Sequence, residues 1–294
     1  MRLITCEYQH NTYLGVVQDN YAVLPALADE ALNDMLALIA AGPEGWQRYR
    51  ASIPRLPASC RIPLERVRIL APIPRPRKNI LCLGLNYADH AAETSAVHGR
   101  AAAPHDHIVV FTKAVTSVTG PGDDIPYDGA VTTQLDWEVE LAVIIGLPGR
   151  HIEEAQALQH VFGYTVVNDL SARDLQFRHK QYFLGKSLDH GCPMGPWIVT
   201  TDEIPEPQDL ELRCWVNGRL KQEGNTRQQI SSIAATIATL SHSMTLEAGD
   251  VIATGTPAGV GFARTPPEFL GPGDLVECEV AGIGRLHNRI VREN

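Results

Sequence analysis

Asp136-Trp137-Glu138-Val139-Glu140, running straight into Leu141-Ala142-Val143-Ile144-Ile145, is the stretch whose reading decides the fold. Side chains in a strand alternate with period two, so Glu138 and Glu140 project from one face of the same sheet. A second β-prone run, Gly163-Tyr164-Thr165-Val166-Val167-Asn168-Asp169, ends in a third carboxylate. Three acidic groups converging from rigid strands suit a hard divalent cation such as Mg²⁺ or Mn²⁺, which prefers oxygen ligands. Glu-x-Glu alone is a weak signal, because exposed strand faces carry such pairs freely. Here the rest of the strand is apolar, so the pair is expected at the interior or its rim. Like charges held there raise each other's pKa unless a cation intervenes.

The surrounding composition is that of an ordinary globular protein: 294 residues, 44% hydrophobic and 20% charged. That length allows one large domain, or a large one with a small appendage. A formal net charge of −9 leaves no basic face to neutralise phosphates, so no nucleic-acid partner is expected. A small anionic substrate remains compatible, because a bound metal reverses the local sign. The six cysteines (Cys6, Cys60, Cys82, Cys192, Cys214 and Cys278) are scattered and signal neither a zinc site nor a redox dithiol. No apolar run approaches the ~20 residues that span a bilayer, and Met1 to Glu7 lacks a leader-like apolar core. The expectation is a reduced, cytoplasmic protein with no membrane partner.

Taken in order, the chain opens with β-prone runs at Leu3-Ile4, Tyr13 to Val17 and Tyr21 to Leu24. Apolar spacing predicts a helix over Leu27 to Ala41, stopped by Gly42-Pro43, and a short one over Trp46 to Arg50. Ala71-Pro72-Ile73-Pro74-Arg75-Pro76-Arg77-Lys78 is the clearest linker, since three prolines remove amide donors and fix an extended path. The boundary falls there, giving a small N-terminal domain at 1–72 and a catalytic domain at 73–294; an extended edge within one domain is the alternative. Strands are predicted at 79–84 and 108–113, a short helix at 86–93, and a loop at 94–107 carrying His98, His105 and His107. Further on come a helix at 152–160, an Asn217-Gly218 hairpin turn, a helix at 231–242 and a final hairpin around 281–284. Many strands and few helices predict an α+β, β-rich fold rather than a doubly wound sheet.

Several residues carry recognisable chemistry. His90-x-x-Glu93 places imidazole and carboxylate one turn apart, either as a carboxylate-oriented general base or as a surface ion pair. If residues 170–176 turn helically, Arg173 and Gln176 fall on the face that bears Asp169, where an arginine can clamp a carboxylate. Lys186, in Gly185-Lys186-Ser187, is a candidate stabiliser of an enolate or oxyanion, or simply a surface lysine. The upstream glycine of a phosphate-binding loop is missing there. The loop Thr254-Gly255-Thr256-Pro257-Ala258-Gly259-Val260-Gly261 is not a dinucleotide fingerprint, because Pro257 interrupts it and no helix follows. Its amides and Thr256 can still hold a substrate carboxylate.

Five blocks in order resemble the fumarylacetoacetate hydrolase family, in its acylpyruvate hydrolase and oxaloacetate decarboxylase-like branch. They are Gly84-Leu85-Asn86-Tyr87-Ala88-Asp89-His90-Ala91-Ala92-Glu93, Asp136 to Leu141, Asn168 to Gln176, Gly185-Lys186-Ser187-Leu188-Asp189, and Thr254 to Gly261. The resemblance spans residues 79–294 and departs at Lys113-Ala114, where many relatives have Lys-Pro. It implies a mixed β-sandwich roll as the catalytic domain, usually dimeric, with Mg²⁺ or Mn²⁺ on Glu138, Glu140 and Asp169. It implies that His90 and Glu93 sit on a lid, and that Tyr87, Arg173, Gln176, Lys186 and Thr256 serve substrate binding or charge stabilisation. The expected reaction is hydrolytic C–C cleavage of a 2,4-dioxo acid such as fumarylpyruvate or maleylpyruvate, from aromatic catabolism. Oxaloacetate decarboxylation and 2-oxo-alkenoate isomerisation or hydration are the alternatives.

Overall fold

The structure, a computed structural model, describes residues 1–28, 32–97 and 107–293. Among them, two large sheets hold nearly all of the strands. The longer one runs from its edge through Arg61–Pro63, Tyr21–Val23, Asn11–Gln18, Arg2–Tyr8, Cys192–Thr200, Val161–Asn168, Val139–Ile145, Val251–Ala253, Ile80–Gly84 and Val109–Lys113. The second has five strands: Arg219–Asn225, Glu211–Val216, Leu275–Val280, Gly284–Arg292 and Asp124–Tyr127. Helices are few, so the fold is the strand-rich mixed type expected.

The period-two alternation of Val139–Ile145 divides the interior. Val139, Leu141, Val143 and Ile145 pack in one cluster with Leu212, Cys214, Val276 and Leu286 of the second sheet. Ala142 and Ile144 join the opposite cluster, with Leu3, Leu38, Ile39 and Ile198. Every residue of this strand is buried, which explains the unbroken apolar run after Glu140. The neighbouring Val161–Asn168 strand pairs antiparallel with it in a register that sets Val139 opposite Asn168.

Local signals explain most element ends. Asn217 and Gly218 both take positive φ, at 51° and 73°, as a tight hairpin requires. The helix expected over Leu27 to Ala41 is shorter: it spans Met35–Ala40, and the Asp34 side chain accepts from the Ala37 amide at 2.7 Å. Gly42-Pro43 does not merely stop it but opens the next helix, Gly42–Ser52, because proline is tolerated in a first turn. The segment expected as a helix at 152–160 is a 3₁₀ run, Glu154–His160. Ser232 caps the helix Ile233–Ser243 by accepting from Ala235. His98 and His105 lie outside the described residues. No helix among the described residues is long and apolar enough to cross a membrane.

The sheet continues across the proline segment at 71–78. Arg2 and Leu3 pair with Val199 and Ile198, and Leu3 shares a buried cluster with Ala142, Phe162 and Val167. Removing buried methyl groups there leaves a cavity next to the strands that carry the carboxylates. Leu3→Ala should lower the unfolding free energy by about 2–5 kcal/mol, read by urea denaturation, and shift the whole transition. A separate early step confined to residues 1–72 would instead mark an autonomous N-terminal domain.

Candidate active site

The register between the two central strands assembles the acidic cluster. Asp169, one residue past its strand, donates its amide to Glu138 O at 2.9 Å. The Glu138 amide in turn donates to Asn168 Oδ1 at 3.0 Å. These bonds bring Glu138, Glu140 and Asp169 together, with one ligand atom from each lying within 4.8 Å of the others. All three are buried.

Cations crowd the same spot. Lys186 Nζ lies 2.7 Å from Glu138 Oε2 and 2.8 Å from Asp169 Oδ2. Lys113 Nζ donates to Asp169 Oδ1 at 2.6 Å and to Leu170 O at 3.0 Å. Arg173 donates from Nε to Asp136 Oδ2 at 2.8 Å and from Nη1 to Gln176 Oε1 at 2.9 Å; its Nη2 stands 2.7 Å from Glu138 Oε1. Lys186 reaches this position because Gly185 lets its short helix close on Arg173–Arg178. A Cβ at residue 185 would come within 2.5 Å of the Gln176 amide nitrogen. The surface-lysine alternative for Lys186 is therefore excluded by its burial at 1% exposure.

Four buried carboxylates (Asp136, Glu138, Glu140, Asp169) thus face three buried cations (Lys113, Arg173, Lys186). The carboxylate left without a lysine or arginine partner is Glu140, which accepts from the Gly255 amide at 2.7 Å. Burial, then Asp169 and Glu138, push its carboxyl well above the usual range. Burial also pushes Glu138 up, but Lys186, Arg173 and His90 outweigh it and hold the group at about 2. Lys186 is raised: burial disfavours its ammonium, yet Asp169 and Glu138 win. It is therefore a fixed positive charge and not a base. An all-oxygen donor set with one uncompensated negative charge fits a divalent cation.

His90 and Glu93 stand on the helix Ala88–Val97, and His90 lines the same cavity as Glu138 and Glu140. His90 Nδ1 sits 2.8 Å from Glu93 Oε1, and Glu93 accepts the Gly259 amide at 3.0 and 3.2 Å. An ionised carboxylate only accepts, which assigns the proton to Nδ1 and leaves Nε2 as the basic nitrogen. His90, Glu138, Glu140, Arg173, Lys186 and Thr256 line one cavity of about 540 Å³. Gln176 lines it too, its amide oxygen turned to Arg173. The exposed His107 does not.

Two residues expected at the substrate are otherwise engaged. The Tyr87 hydroxyl meets Gln229 Nε2 at 3.4 Å, away from the cavity lining. The Thr256 hydroxyl donates to Val139 O at 2.9 Å and accepts from Gln222 Nε2 at 2.7 Å, so its proton is spoken for. Sequence reasoning passed over Lys113, Asp136 and Gln222 as site residues. Lys113 had a visible cue, a lone charge ending an apolar strand. Gln222 had none, since it reaches the site from the second sheet. Cys192 feels both Lys113 and Asp169, but burial pushes its thiol up to about 12, so it supplies no thiolate nucleophile.

The raised pKa of Glu140 has a definite sign. A carboxyl whose folded pKa exceeds the ordinary 4.5 contributes stability at low pH that is lost as pH rises through the folded value. Metal binding requires the ionised form, so affinity should rise with pH above 4.5, with proton release detectable by calorimetry in buffers of different ionisation enthalpy. Metal at about a hundredfold its Kd should stabilise by about 2.7 kcal/mol. Glu140→Gln should abolish that thermal shift.

Comparison with known proteins places the chain in a group. Residues 79–291 match the fumarylacetoacetate (FAA) hydrolase C-terminal family. The chain is 53% identical over 227 residues to the oxaloacetate tautomerase YisK of Bacillus subtilis, covering 77% of this chain and 74% of that protein. Its fold superposes on the fumarylacetoacetate hydrolase of Exiguobacterium antarcticum with a TM-score of 0.85 at 39% identity, over the full length of both chains. It also superposes on maleylpyruvate hydrolase from Sphingobium sp. SYK-6 in complex with manganese(II) and pyruvate, with a TM-score of 0.80, 31% identity and full coverage of both. The chain that builds this site is a member of the fumarylacetoacetate hydrolase family.

Proposed function

We propose that the protein is a divalent-metal-dependent enzyme of 2-oxo acid enol chemistry, and that its reaction is the keto–enol interconversion of oxaloacetate. The observation that carries this is His90, held by Glu93 and lining the same cavity as Lys186, Glu138 and Glu140. One base and one fixed positive charge suffice to move a proton on and off the carbon next to a 2-oxo group. The relative at 53% identity is an oxaloacetate tautomerase, which favours this reading over the C–C hydrolysis put first from sequence.

Mg²⁺ or Mn²⁺ held by Glu138, Glu140 and Asp169 would supply Lewis acidity toward the 2-oxo group and its carboxylate. His90 Nε2 takes a proton from C3; the C–H electron pair becomes the C2–C3 double bond, and negative charge develops on the C2 oxygen. Lys186, kept cationic by its carboxylate neighbours, offsets that charge. A proton from water delivered to that oxygen gives the enol while the imidazolium returns its own to water, and the reverse sequence regenerates the ketone. Glu93 steadies the imidazolium that forms. A homodimer, which the resemblance in sequence implies, is proposed as the working assembly.

Hydrolysis of an acylpyruvate is the second reading, supported by the likeness to maleylpyruvate hydrolase. The same His90 would then deprotonate a water that attacks the C4 carbonyl, and the C3–C4 bond would break to release pyruvate enolate and a carboxylic acid. Decarboxylation of oxaloacetate needs neither the water nor a base at C3.

Loss of the oxaloacetate enol, followed by its ultraviolet absorbance with Mg²⁺ or Mn²⁺ present, separates these readings from hydrolysis of maleylpyruvate or fumarylpyruvate, followed as pyruvate release. His90→Gln should lower kcat for the interconversion by about 10²–10⁴-fold while retaining the metal-induced thermal shift. Lys186→Met should also lower kcat. Rapid acylpyruvate cleavage with no acceleration of enol loss would overturn the tautomerase reading.

A further inference from the structure

The strand Val139–Ile145 loses a neighbour where it begins. Its ladder with Val251–Ala253 pairs Ala142 with Ala253, and the Thr254 amide still donates to Leu141 O at 3.0 Å. Gly255 then turns away with φ at 95°, and among the described residues no strand pairs with Val139 on that side. Asp169 donates its amide to Glu138 O, which makes Glu138 and Asp169 a hydrogen-bonded pair and leaves Val139 and Asn168 as a pair that is not. The N–H and C=O of Val139 therefore point away from Val161–Asn168, to the side that the ladder has left. Two side chains meet them there. Gln222 Oε1 accepts from the Val139 amide at 3.0 Å, and the Thr256 hydroxyl donates to Val139 O at 2.9 Å.

Gln222 is itself buried, and its Nε2 donates to Thr256 Oγ1 at 2.7 Å and to Pro257 O at 2.8 Å. Both amide hydrogens and the amide oxygen are thus used. A flipped amide would set its oxygen against Pro257 O, acceptor against acceptor. The bonds close a ring through the Val139 amide, Gln222, Thr256 and the Val139 carbonyl, and the ring clamps the one residue that separates Glu138 from Glu140. The same loop supplies the Gly255 amide to Glu140 Oε2 at 2.7 Å. Gln222 does not line the cavity, so it acts through the backbone it holds. We propose that Gln222 is a positioning residue for the metal ligands: with Thr256 it stands in for the missing strand and fixes the spacing of Glu138 and Glu140, which favours a small divalent cation over a larger one. This rests on the reading of the acidic triad as a metal site. Mg²⁺ demands near-octahedral oxygen ligands at about 2.0–2.1 Å, whereas Ca²⁺ accepts a looser set at about 2.3–2.6 Å. Clamped carboxylates suit the first, and carboxylates free to spread suit the second.

The test is the binding of Mg²⁺ and of Ca²⁺ to the metal-free protein, measured by calorimetry for wild type, Gln222→Met, Thr256→Val and Thr256→Ser. Gln222→Met should weaken Mg²⁺ by about 10–100-fold, the usual effect of removing a partner that stands behind a metal ligand. It should weaken Ca²⁺ less, so that the Mg²⁺/Ca²⁺ affinity ratio falls. Hydrogen exchange at the Val139 amide should quicken in the same variant without metal. Thr256→Val removes the bond to Val139 O and should lower the ratio too, while Thr256→Ser keeps it; this pair decides the question if Gln222→Met does not fold. A ratio that stays constant overturns the assignment, whether both affinities hold or both fall equally, the latter being the mark of a general loss of packing. Wild type that binds neither cation overturns the metal reading of the triad and the assignment with it. Wild type that binds both, with a ratio indifferent to Gln222, overturns the assignment alone.

Discussion

A buried imbalance of charge organises this protein. Asp136, Glu138, Glu140 and Asp169 stand against Lys113, Arg173 and Lys186, all of them withdrawn from water. Removing one partner from such a cluster typically costs about 3–5 kcal/mol, because the other is left as an uncompensated buried charge. The cluster persists because each group has short, directed contacts: both oxygens of Asp169 are held by lysines, and Arg173 spans Asp136, Gln176 and Glu138. Only Glu140 lacks a cation of its own, and that deficit is what a divalent ion would meet.

Such a cluster needs a scaffold that cannot drift, and the braces around it come from every side. Gln222, on the second sheet, accepts the Val139 amide at 3.0 Å and donates to Thr256 Oγ1 and Pro257 O at 2.7 and 2.8 Å. Val139 lies between the two glutamates, so this one amide group ties the metal-facing strand to the glycine-rich loop. Asp136 repeats the device at the strand's entrance, accepting from Trp137, Gly261 and Phe262 at 2.8, 2.7 and 3.0 Å. The loop at 255–262 is thereby stiff enough for its Gly259 amide to receive Glu93. Orientation of the His90 imidazole then follows from a chain of backbone and side-chain contacts that begins in the sheet.

The helix Ala88–Val97 is held at its start as well as through Glu93. Asn86 donates to Ser231 O and Thr254 O at 3.1 and 2.8 Å and accepts from the Ser231 amide at 2.8 Å. Leu85, just before it, adopts a positive φ of 55°, an uncommon conformation for a side chain of that size. The helix that carries His90 and Glu93 therefore springs from a fixed point beside the cavity.

The amino-acid sequence by itself determined whatever depends on local periodicity. The apolar run after Glu140, the two-residue spacing of the glutamates, the strand ending at Asp169 and the Asn217-Gly218 turn each follow from backbone geometry that neighbours in the chain impose. So does the His90–Glu93 pair, three residues apart on one helix. Tertiary structure alone decided which polar groups remain free to act. Lys113 and Asp169 are 56 residues apart, Val139 and Gln222 are 83 apart, and Asp136 and Gly261 are 125 apart; no spacing rule links them. Tyr87 and Thr256 read as substrate ligands in the sequence, yet packing commits one hydroxyl to Gln229 and the other to Val139 O. A hydrogen-bonding group has few partners to give, and which partners reach it first is settled only when distant strands close around it.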